Sequence, residues 1–148
     1  QKSVELGAVR IVPVITKRCV ARPTKKEFEK KLPRLQKIAE AAAKQSGRGI
    51  IPVVSPLITF DEAITEMKNS DAAMLFYEEG GVKFNEVPLE NAYNISVFIG
   101  SEGGLDPFEA EAAKNNGIHN VWLGNRILRC ETAPIAVISV LMHLTGNM

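Results

Sequence analysis

With 148 residues, 45% of them apolar, the chain has the size of one domain that folds around its own core, and its two cysteines lack the spacing of a disulfide framework or a zinc site. The net charge of +1 excludes a protein that grips nucleic acid with its whole surface and leaves room only for a local basic patch. No apolar run reaches membrane-spanning length and no signal-peptide pattern opens the chain, so a soluble, cytoplasmic protein with neither membrane nor metal partner is expected.

In chain order, Gln1 to Gly7 reads as the last turns of a helix closed by glycine. A natural chain rarely begins inside a helix, which predicts further sequence ahead of it. Val9 to Ile15 and Ile50 to Val54 are expected strands, with Pro13 and Pro52 pointing to edges or bulges there. Between them Leu32, Leu35, Ala39, Ala42 and Ala43 recur at helical spacing while Lys30, Lys31, Arg34, Lys37 and Lys44 fall mostly on the other side, which predicts an amphipathic helix. Thr59-Phe60-Asp61-Glu62 is a capping-box pattern that opens a second helix.

Ala72 to Tyr77 and Ile95 to Ile99 are short β-branched or apolar runs and are expected as buried strands, with Glu78 to Asn94 as a long loop between them. Asp106-Pro107-Phe108-Glu109 is another capping box, with proline at the first helical position and Gly117 as the stop. Asn120 to Leu123 is the last expected strand. A final helix from about Thr132 to Leu144 is apolar on nearly all sides, which predicts packing against a sheet and a second subunit. Strands alternating with helices define an α/β domain with a mainly parallel sheet.

Two segments carry chemistry. Val97 to Pro107 runs from a buried strand through Gly100, Ser101, Glu102, Gly103 and Gly104 into a capped helix. Its glycines let a ligand approach the backbone, and the helix start offers free amides, although an ordinary strand-to-helix turn has the same letters. The dinucleotide fingerprint and the phosphate loop are absent, and Ile99 stands where a nucleophile elbow would need glycine before Ser101. His119 and His143 read as surface or capping residues. The second segment, Val121 to Ala133, ends a strand in a loop bearing Arg126, Arg129 and Glu131. Two loops after strand ends imply one crevice, because ligands of open α/β sheets bind beyond the carboxyl ends of strands. A solvated surface is the alternative for the arginines.

The run IGSEGG, then LGNRILRCETA, with QKSVELG at the start and AAAKQSGR in the middle, resembles the RsmE family of small-subunit ribosomal RNA methyltransferases, in order and over essentially the whole chain. Ser101 and Cys130 depart from that pattern, which usually has proline and threonine there. The resemblance implies a SPOUT-type α/β-knot domain over residues 1–148, with a deep trefoil knot near its C-terminus, working as a homodimer. A PUA-like RNA-binding domain is then expected ahead of it in the intact protein.

By the same resemblance the cofactor is S-adenosyl-L-methionine, held by Phe76, Tyr77, Gly100, Ser101, Glu102, Gly103, Gly104, Leu123, Gly124, Asn125, Ile127, Leu128 and Arg129. The implied reaction is methylation of N3 of a uridine in 16S ribosomal RNA within the small subunit. Arg129 or Arg126 would stabilise charge on the uracil, and Glu102 or Glu131 would act as base or orient the arginine. Arg10, Lys17, Arg18, Arg22 and Arg48 are candidate phosphate contacts, Arg10, Arg18 and Arg48 foremost, with solvating surface as the plainer reading of each. Competing readings are a SPOUT methyltransferase acting on transfer RNA or another ribosomal position, a non-catalytic RNA-binding module, and an unrelated nucleotide-binding domain.

Overall fold

A computed structural model describes all residues from 1 to 148. In chain order the elements are α1 (Lys2–Glu5), β1 (Arg10–Ile11), β2 (Val14–Ile15), α2 (Lys25–Glu29), α3 (Leu32–Gln45), β3 (Val53–Val54), β4 (Ile58–Thr59), α4 (Phe60–Met67), β5 (Ala72–Phe76), β6 (Val82–Lys83), a 3₁₀ turn (Phe84–Glu86), β7 (Ile95–Ile99), α5 (Pro107–Asn115), β8 (His119–Trp122) and α6 (Ala133–Leu144). They fall into two compact units. The first comprises residues 1–15, 21–58 and 134–148, and the second residues 16–20 and 59–133. No helix is long and apolar enough to cross a membrane.

In the first unit, α3 turns Ala39, Ala42 and Ala43 onto Val4 of α1 and Val54 of β3, with Ile11, Leu32 and Leu35 packed around them. Small alanines let these elements approach closely, and Pro33 sits in the first turn of α3 where its missing N–H costs nothing. β1 and β3 pair in parallel, Arg10 opposite Val53 and Ile11 opposite Val54. The expected single strand over Val9 to Ile15 is broken at Val12-Pro13. Up to Ile11 it pairs with β3, and from Pro13 its carbonyl accepts from the N–H of Ile58 instead, at 3.0 Å. Proline supplies no ladder donor, so the partner changes there.

Pro52 shortens the second expected strand in the same way, leaving Ile50 and Ile51 outside it and exposed. Gln36 of α3 replaces the missing rungs: its amide donates to the Pro52 carbonyl at 3.0 Å and its oxygen accepts from Val54 N–H at 2.9 Å.

Arg48 has a specific structural task in this unit. Its guanidinium donates to the carbonyls of Val4 at 2.7 Å, Ala8 at 2.6 Å and Gly7 at 3.1 Å, closing the carbonyl end of α1 where backbone acceptors have no helical partner. The side chain considered a phosphate contact is therefore committed to the backbone. Arg10 similarly donates through Nε to Ser55 Oγ at 2.8 Å.

The second unit holds the main sheet, in the order β6-β8-β5-β7, with every pairing parallel. β5 is central and all five of its residues are buried, as a strand covered on both faces must be. Phe60 of α4 meets Phe98 of β7 edge-on at 5.5 Å. Both predicted capping boxes form: Thr59 accepts from Glu62 N–H, and Asp106 from Phe108 N–H, with Glu62 and Glu109 reaching back. The expected loop from Glu78 to Asn94 contains β6 and the 3₁₀ turn. Gly81 lets β6 lie at the sheet edge, because a Cβ there would collide with the Asn120 carbonyl of β8.

The last helix begins at Ala133 and buries only Ala133, Val137 and Leu141, leaving Val140 and Leu144 exposed. Removing the Arg48 clip tests the first unit. Arg48→Met is expected to lower stability by about 2 kcal/mol in a urea titration, since three charge-assisted acceptors lose their donor. An unchanged midpoint would contradict the assignment.

Candidate active site

The register of the main sheet brings three strand ends level. Phe76 at the end of β5 lies opposite Ile99 of β7 on one side and Val121 of β8 on the other. The chain leaves each strand into a loop, and these loops enclose a cleft of about 880 Å³, within the range that binds drug-sized ligands. It is lined by residues 76–78, 99–105, 121–131 and 133, all in the second unit.

Each position expected to hold cofactor therefore lies on one cleft: Phe76 and Tyr77 from the end of β5, Gly100 to Gly104 after β7, and Leu123 to Asn125 with Ile127 to Arg129 after β8. Arg126 and Glu131 line it too. Arg10, Arg18 and Arg48 do not. Sequence reasoning missed Glu78, Trp122 and Cys130 as lining residues. Glu78 and Trp122 flank strand ends already singled out, so the signal was there, and Cys130 was noted within its loop only as a departure from the family pattern.

The glycine loop is a tight turn in which Gly104 N–H donates to the Ser101 carbonyl at 2.8 Å. Gly104 adopts φ +70, which favours glycine, and a Cβ there would lie 2.7 Å from a carboxylate oxygen of Glu78. At Gly103 the constraint is steric: an added Cβ would sit 2.6 Å from the Arg18 carbonyl oxygen. The loop thus fits its surroundings only without side chains at these positions.

Electrostatics divide the cleft into a buried floor and an exposed rim. Tyr77 is buried, and burial, reinforced by the neighbouring Glu79 and Glu78 carboxylates, pushes its phenol above the ordinary tyrosine value. Its hydroxyl faces the Glu79 carboxylate, whereas the Ser101 hydroxyl is buried without a hydrogen-bond partner. Buried polar atoms are almost always paired, so Ser101 offers the cleft a donor that no protein group uses. At the rim, Arg129 and Glu131 approach to 3.9 Å with side chains 86% and 65% exposed, a loose pair that leaves the arginine available to a substrate. The Cys130 thiol sits between carboxylates and donates to Glu131 at 3.4 Å. Desolvation, with Glu102 and Glu131 nearby, pushes it up, so it remains a thiol at neutral pH.

A parallel α/β sheet whose glycine-rich loops enclose a cleft at the strand ends is the setting of a ligand-binding enzyme domain, and the sequence narrows the class: a model described as RNA methyltransferase domain matches residues 1–142, and the chain belongs to that family. Within it, the chain is 34% identical over 139 residues to Ribosomal RNA small subunit methyltransferase E of Mesomycoplasma hyopneumoniae, covering 94% of this chain and 60% of that protein. It is 33% identical to the Bacillus subtilis protein of the same name, covering 98% and 59%.

Among solved structures, the Neisseria gonorrhoeae ribosomal RNA small subunit methyltransferase E bound to S-adenosyl methionine superposes with a TM-score of 0.88 at 37% identity, over 97% of this chain and 58% of that one. A putative methyltransferase of Legionella pneumophila in complex with the same cofactor gives a TM-score of 0.90 at 30% identity, over 97% and 59%. The chain spans about 60% of the length of the curated relatives it matches.

Tyr77 gives a pH test. Its folded-state value is raised above the ordinary 10.0, so its contribution to stability is fully present below that value and is lost as pH rises through the higher folded value. Tyr77→Phe is expected to flatten the loss of stability above about pH 10, followed by denaturant titration across the alkaline range. Parallel curves for the two proteins would contradict a buried phenol held neutral beside Glu79.

Proposed function

We propose that this chain is the catalytic domain of an S-adenosylmethionine-dependent methyltransferase acting on N3 of a uridine in small-subunit ribosomal RNA. The observation that carries the reading is the cleft at three level strand ends, with the Ser101 hydroxyl buried and unpartnered on its floor. The residues present fit the cofactor. Gly100 to Gly104 and Leu123 to Arg129 would hold it through backbone groups, and Tyr77 and Ser101 would donate to its polar edges. When bound, S-adenosylmethionine supplies an electrophilic methyl group on a positively charged sulfur.

This chain's own residues then have two tasks. Uracil N3 carries a proton and attacks poorly until that proton is lost or shared. Glu102 or Glu131 takes it, while Arg129 or Arg126 holds the negative charge that spreads onto the uracil carbonyl oxygens. Tyr77, kept neutral by burial, can donate a hydrogen bond but takes no proton. The methyl group ends on N3, the displaced sulfur leaves as a neutral thioether, and the proton rests on the carboxylate.

Several further features belong to the same reading. The apolar residues that α6 leaves exposed, Val140 and Leu144, favour a homodimer. The family's trefoil crossing would lie beside the cofactor loops, and the intact protein would carry a PUA-like RNA-binding domain ahead of this chain. It would work in the cytoplasm.

Incubating the full-length protein with small ribosomal subunits and methyl-labelled cofactor, then digesting the RNA to nucleosides, tests the reaction. Labelled 3-methyluridine is the expected product, and Arg129→Ala is expected to lower kcat on the order of 100-fold, the cost of removing a charge-stabilising donor. Label in a different nucleoside would overturn the target assignment. Cofactor binding without any transfer would indicate a non-catalytic module.

A further inference from the structure

One aromatic side chain beside the cleft has no role in the core. α5 turns Glu109, Ala110 and Ala113 inward, yet Phe108, in its first turn, is 72% exposed. A lone exposed apolar residue is ordinary. Here, however, a cation lies over its ring. Lys17 Nζ lies 5.1 Å from the Phe108 ring centroid and 3.5 Å from Asp106. The segment bearing Lys17 and Arg18 is clamped to the helix start by the buried Glu109 carboxylate. One of its oxygens accepts from Lys17 N–H at 2.9 Å and the other from Asp106 N–H at 3.1 Å.

On its other side the same segment closes on the cofactor loop, through the approach of Arg18 to Gly103. A buried carboxylate is costly unless fully used, and this one holds an aromatic ring, two cations and the lip of the cleft together.

We propose that Phe108, with Lys17 and Arg18, is a stacking platform for a base of single-stranded RNA next to the target nucleotide. The chemistry is that of single-strand recognition: an exposed ring takes a base of any identity, and adjacent cations take the phosphates. The proposal rests on the methyltransferase reading for its direction toward the cleft, but its binding test stands alone.

The test uses the full-length protein, a fluorescein-labelled twelve-nucleotide oligouridylate followed by anisotropy, and S-adenosylhomocysteine followed by calorimetry. Phe108→Ala is expected to weaken oligouridylate binding about tenfold with the S-adenosylhomocysteine affinity unchanged, Phe108→Trp to restore it, and Phe108→Leu not to. Equal binding by wild type and Phe108→Ala, or full rescue by leucine, would overturn the platform. So would self-association that disappears in Phe108→Ala, which would mark the ring as a contact with a second copy. A wild-type protein that binds S-adenosylhomocysteine but no oligouridylate overturns the platform and leaves the methyltransferase reading standing. The reverse pattern, with the aromatic requirement intact, does the opposite.

Discussion

The site depends on parallel pairing around β5. Because β7 and β8 both run alongside β5 in the same direction, with Phe76 level with Ile99 and Val121, three chain segments must leave the sheet at one edge. Parallel strands cannot be joined by tight hairpins, so the loops that follow have the length to form walls. An antiparallel arrangement would have sent alternate loops to opposite ends. The cleft is thus a consequence of strand direction before any particular side chain is considered, which is why ligands collect at such edges in open α/β sheets.

Given that edge, the shape of the cleft is set by what is missing from it. Gly103 brings the turn after β7 against the Arg18 backbone, where a side chain would collide, and Gly104 supplies a positive φ that disfavours other residues. Glu109 fixes the other end of this arrangement from inside, using both carboxylate oxygens on backbone amides. The floor is buried and carries the hydroxyls of Tyr77 and Ser101, while the rim carries Arg126, Arg129 and Glu131 in water. That division suits a reaction in which one partner is enclosed and the other, much larger, arrives from outside.

Much of this was legible from residue order. β7 appears with its expected ends, and α4 and α5 start where their capping boxes place them, because these signals are local and the structure does not oppose them. The loops that line the cleft were visible as glycine-rich and arginine-bearing segments after strands. What was not legible depends on partners distant in sequence. The break at Pro13 reflects a change of neighbour from β3 to Ile58, and the role of Arg48 depends on the carbonyls of α1 some 40 residues earlier. Glu109 reads as one half of a capping box, and nothing local announces that it also holds Lys17, 92 residues away. The short α2, by contrast, was overlooked although Thr24 and Glu27 form a complete capping box, the same signal that located α4.

The central claim is that this cleft is a cofactor site shaped by its glycine turn, and calorimetric titration with S-adenosylhomocysteine tests it without requiring the RNA. Saturable binding at one site per chain, much weakened in Gly103→Val while the protein stays folded, is the predicted result. A folded wild-type protein that binds no S-adenosylhomocysteine, or a valine variant that binds it as tightly as wild type, would contradict the account.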